Sequence, residues 1–234
     1  MNIEELFKKL SYGELSNLSL SGEGSGEIIE ARQPKLVFYA NESLIRLYTR
    51  FILKEQDVLI GLVNHITFYH LIDKYAESNW PDSGVDFPYI KDLNREPFAN
   101  DVLKILAVYA SNGREIPLND NEHPASVFTP QANMLQVPRP QTGFSLSLLY
   151  QAKHKALSHE DLTQEIILPD VLHGALRAHI AYQVYSHMNT AEASAKAQEH
   201  YNMYESICLD AIDKDMVNTS VSTTSTKFHN RGWI

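Results

Sequence analysis

The chain has 234 residues, enough for one mid-sized domain or two small ones, and its 44% hydrophobic and 21% charged content is that of an ordinary globular protein. Twenty bases against 29 acids leave a formal charge of −9, which argues against wrapping nucleic acid as the main task, because neutralising phosphates needs a basic footprint. Cys208 is the only cysteine, so an internal disulfide and a thiolate zinc knuckle are excluded, and no stretch approaches the ~20 apolar residues that span a bilayer.

The opening MNIEELFKKL places Ile3, Leu6, Phe7 and Leu10 on one helical face and lacks the unbroken apolar run of a signal peptide. A glycine- and serine-rich stretch follows to about residue 28 and reads as a loop. Its SGEGSG has neither the lysine nor the hydroxyl residue of a phosphate-binding loop. From Pro34 the apolar residues Leu36, Val37, Ala40, Leu44, Leu47, Tyr48 and Phe51 keep helical spacing, which predicts a helix over 34–55.

The pattern then changes. DVLIGLV and ITFYHLI are short and rich in β-branched and aromatic residues, so they read as strands. ESNWPDSGVDFPYIKDLNREPFAND carries three prolines without a sustained period and reads as a long loop. Two apolar runs flank Asn112-Gly113, a pair suited to a type I′ hairpin turn. NMLQVP and FSLSLLYQAKH supply two further strands. Leu172, Leu176, Ile180 and Val184 then mark a helix that Pro169 introduces, and Asn189 with Glu192 has capping-box spacing for the next helix, so the two form an antiparallel hairpin.

The expected fold is therefore α+β: a helical bundle of three or four helices with an inserted β-rich lobe and an extended C-terminal arm. The boundaries read as 1–56 for the N-terminal helices and loop, 57–160 for the lobe, 161–215 for the helical hairpin and 216–234 for the arm.

Chemistry-bearing motifs are sparse. His173 and His179 diverge on one helix, His179 and His187 share a face, and no His-Glu-x-x-His pattern occurs, so the ten histidines give no metal-ligand spacing. Glu115, Asp120 and Glu122 read as the solvated edge of a hairpin. No nucleophile elbow is present. The reading is a protein that is not an enzyme and has neither metal nor cofactor. Tyr182, Tyr185, Tyr201 and Tyr204 flank the last two helices, where they fit either a subunit core or a surface between subunits.

The order of these features carries a resemblance. A hairpin SNGREIPLND precedes FTPQANMLQVP, a strand ending YQAKH, then LPDVLHGAL, the tyrosine-rich AYQVYSHM and an alanine-rich start to the last helix. Over residues 35–215 this resembles the adaptor, or head-to-tail connector, proteins of short-tailed bacteriophages. The resemblance implies a non-enzymatic virion protein, made in the host cytoplasm and placed at the head–tail junction. It implies a ring, commonly of twelve copies, between the portal protein and the tail nozzle or tube. That ring closes the packaged head and serves as a platform for tail attachment and genome ejection. DNA would be a passing, non-specific contact, and no membrane is involved. Two other readings stand beside it: a phage metal-dependent hydrolase using histidine ligands, and an interaction module outside the virion.

Seven of the ten residues from Asn218 to Lys227 are Ser or Thr, too polar to fold alone, and aromatics follow. Lys227, Phe228, His229, Asn230, Arg231, Trp233 and Ile234 read as a docking arm for the portal, because aromatic and arginine residues anchor interfaces. No acid follows Asp215, while Lys227 and Arg231 do, so the charge of −9 becomes −11 for residues 1–215.

Overall fold

The computed structural model of the chain describes residues 1–16, 18, 28–80, 82 and 84–217. The chain forms two units, Met1–Ile52 with Ala156–Ile234 and, inserted between them, Leu53–Lys155. Among the described residues four α-helices and two antiparallel sheets make the fold α+β. The docking-arm residues Lys227 to Ile234 lie outside the described residues.

In the first unit α1 (Ile3–Tyr12) buries Ile3, Leu6, Phe7 and Leu10, the stripe its spacing predicts. The Asn2 side chain accepts a hydrogen bond from the Glu5 amide at 2.8 Å, capping the first turn. Backbone bonds from Glu4 N to Leu162 O and from Ile166 N to Met1 O tie this end to the segment before the third helix.

The second helix, α2 (Gln33–Arg50), has Pro34 in its first turn and buries Leu36, Val37, Ala40, Leu44, Leu47 and Tyr48. It stops five residues short of the expected end. Phe51 turns extended, and the carbonyl of Lys54 accepts from Ala152 N at 2.9 Å, so pairing with a strand replaces the last helical turn.

Helix α3 (His173–Ser186) buries residues around most of its circumference, including Leu176, Ala178, His179, Ile180 and Tyr185. A central helix needs such an all-round apolar character. Helix α4 (Ala191–Asp213) begins at Thr190, whose hydroxyl accepts from Ala193 N at 3.2 Å. The cap is thus one residue beyond the Asn189 expected from its spacing to Glu192. Rings pair as His179 with Tyr204, Tyr182 with Tyr201 and Tyr185 with His200. Numbers rise along α3 as they fall along α4, so the two helices are antiparallel. Gly174 permits their close approach: a Cβ there would lie 3.2 Å from Ile207 Cδ1.

The second unit holds β1 (Glu55–Gly61), β2 (Phe68–His70), β3 (Val102–Ala110), β4 (Glu115–Ile116), β5 (Phe128–Gln131), β6 (Met134–Gln136) and β7 (Ser145–Ala152). One sheet runs β1-β7-β3-β4 and the other β2-β6-β5. Val58, Ile60, Tyr69, Ile90, Ile105, Val108, Leu135 and Leu148 lie in their shared core. Strand β5 went unread in the sequence because Pro130 interrupts it.

The hairpin between β3 and β4 forms where Asn112-Gly113 places it, with Val108 opposite Ile116 and Tyr109 opposite Glu115. Its turn is not type I′. Among the described residues only Gly113 in this turn has positive φ, at 80°, while Gly113 N and Arg114 O both bond to Ala110. This is a three-residue loop with a left-handed glycine, and the Asn112 side chain accepts from Arg114 N at 3.0 Å.

The proline-rich stretch from Glu77 is irregular, as expected, yet it delivers Tyr89, Ile90 and Phe98 to the core. The Asp92 carboxylate holds it by accepting from Ser78 N, Ser78 Oγ and Phe98 N at 2.6–2.9 Å. Burial alone would raise the Asp92 pKa, but these bonds outweigh it and hold the group below its ordinary value.

Side chains satisfy single positions of two edge strands. The Tyr89 hydroxyl takes the N–H and C=O of His70 on β2, and Asn119 Oδ1 accepts from Thr129 N on β5.

Candidate interaction surface

Helical spacing builds one cluster from two helices. On α2, Arg46 and Arg50 lie four apart on one face; on α4, Tyr201 pairs with Glu205 and Tyr204 with Cys208 at the same interval. Arg50 Nη1 meets Glu205 Oε2 at 2.7 Å, whereas Arg46 Nη2 reaches Glu205 Oε1 only at 4.0 Å. Arg46 instead donates to the Tyr201 hydroxyl at 3.2 Å. Its guanidinium sits 5.6 Å and 5.5 Å from the ring centres of Tyr201 and Tyr204.

The Arg50 hydrogen bond, above all, holds the Glu205 carboxylate below its ordinary pKa, with the charge of Arg46 adding to it. One acid is therefore shared between two bases, and Arg46 keeps a partly exposed planar cation on an aromatic bed.

Beneath this surface, Ser43 Oγ lies 2.8 Å from His179 Nδ1 and donates to the Tyr39 carbonyl at 2.7 Å, while Gln183 Nε2 lies 3.1 Å from both side chains. Ser43 is fully buried, so the pair braces α2 against α3 and presents no hydroxyl to a substrate. Burial, then the Arg46 charge, pushes the His179 pKa down to about 4.

The structure separates the four tyrosines that fitted either a core or an interface. Tyr204 and Tyr185 are buried within the chain, whereas Tyr182 and Tyr201 are half-buried and reach its surface. The histidines are dispersed: His173 beside Asp170, His187 stacked on Tyr39, His200 on Tyr185. Among the described residues no three His, Cys, Asp or Glu side chains gather where a metal ion could be held. No helix of the described residues is long and apolar enough to cross a membrane. Arg46, Arg50 and Glu205 escaped the sequence reading, although the spacing of the two arginines on a helix with only one acid was a usable signal.

A family model described as SU10 adaptor protein matches residues 39–226. The chain belongs to the SU10 adaptor protein family. The match takes in α2 from Tyr39, the whole β-lobe, α3 and α4, and thus every member of the arginine–tyrosine cluster. The SU10 adaptors are a bacteriophage head–tail adaptor family, the kind of protein the sequence resembles. No curated protein matches the chain.

Proposed function

We propose that this SU10 adaptor is a structural, non-enzymatic virion protein that forms a ring, of twelve copies, between the portal and the tail. The ring closes the packaged head, gives the tail nozzle or tube its platform and lets DNA pass. The observation that carries the reading is the family match across both units. The acidic balance of −9 supports it, because a negative wall repels DNA and keeps it from adhering during ejection.

Tyr182, Tyr201 and Arg46 form part of the contact between subunits, with Tyr185 and Tyr204 supporting them from within. Tyrosine and arginine are enriched at such contacts, and Arg46 is already ordered by the two rings it covers. The arm from Lys227 to Ile234 docks on the portal through Phe228 and Trp233. Peptide mass spectrometry of purified particles, read against the portal protein as an internal standard, tests the role. Copy numbers equal to the portal's support it, and absence from particles overturns it.

A further inference from the structure

The helices α2 and α4 carry opposite charge. Helix α2 has Lys35, Arg46 and Arg50 against Glu42 alone, whereas α4 has five acids against Lys196 alone. Each also leaves an apolar pair uncovered. On α2, Phe38 and Ile45 are 59% and 42% exposed; on α4, Leu209 and Ile212 are both 51% exposed. Seven residues separate the first pair and three the second, so each pair lies along one stripe of its helix. Solvated helix faces are ordinarily polar, and two such stripes on one bundle call for cover.

We infer that the two stripes cover each other between copies: the α2 stripe of one subunit packs against the C-terminal half of α4 on the next. This rests on the ring reading above. A closed ring needs a heterologous contact, in which two different surfaces of the same chain are complementary. Opposite helix charge supplies the complementarity and disfavours both like-to-like pairings, α2 on α2 and α4 on α4. Ile45 and Ile212 form the apolar centre, while Lys35 and Arg46 face Asp210 and Asp213 at the rim. Arg46 is suited to this, since Glu205 already serves Arg50 more closely and the tyrosine bed fixes the guanidinium without neutralising it.

Cross-linking in assembled particles tests the contact. Ile45→Cys and Ile212→Cys are introduced singly and together, and particles are treated with a short bis-maleimide; the native Cys208 is buried and does not compete. The double variant is expected to give a ladder of covalent oligomers, and each single variant only monomers. Ile45→Glu is expected to lower incorporation at least about tenfold with an unchanged circular-dichroism spectrum, the loss typical of a central interface residue.

A double variant that stays monomeric, in particles that hold several copies of it, overturns the inference. That result means a partner protein, or the chain's own residues 218–234, occupies the stripes. Dimers from either single variant also overturn it by revealing a like-to-like contact. Wild-type protein missing from particles overturns the ring reading itself, and the untreated wild-type lane distinguishes that failure from the others.

Discussion

His179 on α3 and Tyr204 on α4 meet ring to ring, their centres 4.9 Å apart, beneath the α2 arginines Arg46 and Arg50 that lie over Tyr204. His179 is 5% exposed and feels the charges of Arg46 and Glu205, so its protonation state is coupled to the surface above it.

The coupling sets a pH dependence. Burial first, and the Arg46 charge second, push the folded-state pKa of His179 from 6.5 down to about 4, with Glu205 opposing. Between those values the unfolded chain binds more protons than the folded one, so stability rises with pH. It is complete above about 6.5 and falls by roughly 3 kcal/mol as pH drops toward 4. Urea midpoints taken from pH 7.5 to 4.5 will show this decline, and His179→Asn will flatten most of it. His173 and His200, also lowered chiefly by burial, leave a residual slope of the same sign. A flat profile for the native protein contradicts the assignment.

The two arginines divide their roles. Arg50→Ala leaves Glu205 without its 2.7 Å partner and costs about 1 kcal/mol, the scale of a partly exposed ion pair. Arg46→Ala loses only a long 4.0 Å contact with Glu205 but also the hydrogen bond to Tyr201 and its place over two rings, so its cost in stability is comparable. It lowers incorporation into particles more than Arg50→Ala does. Equal incorporation for the two variants contradicts a contact role for Arg46.

The β3–β4 turn separates two readings of the same sequence. Gly113 has φ 80° and open space where a Cβ would stand, so Gly113→Ala costs about 1 kcal/mol through backbone strain alone. Asn112, outside the left-handed region, loses only its side-chain bond to Arg114 N, a few tenths of a kcal/mol in Asn112→Ala. A type I′ turn would make both positions comparably sensitive, and paired thermal melts distinguish the cases.

Deleting residues 227–234 removes Phe228 and Trp233 and is expected to abolish attachment to portal-bearing heads, while the far-ultraviolet spectrum and melting of the body stay unchanged. Attachment that survives the deletion contradicts the docking arm.

Much of this fold was legible because the helices bury one stripe each. Leu36, Ala40, Leu44 and Leu47 on α2 report a 3.6-residue period that no local rule disturbs. The errors fall where a longer-range partner decides. Lys54 leaves the helix to pair with Ala152, and Thr190, not Asn189, finds the free amide of Ala193. Pro130 hid a strand that only its partner β6 makes evident. The arginine cluster was least legible, since its members lie 155 residues apart and meet only because α2 and α4 both pack on α3 and their long side chains reach each other. The tyrosines were visible as a group, but periodicity alone does not tell Tyr204, at 0% exposure, from its half-exposed neighbour Tyr201.

A cryo-electron-microscopy reconstruction of the intact particle decides whether this chain forms a ring at the head–tail junction. The expected map has a ring of this chain between portal and tail, with each α2 against the α4 of the adjacent copy and density for the arm from Lys227 against the portal. A junction in which portal and tail meet without this chain, or in which it sits as a single copy, refutes the ring.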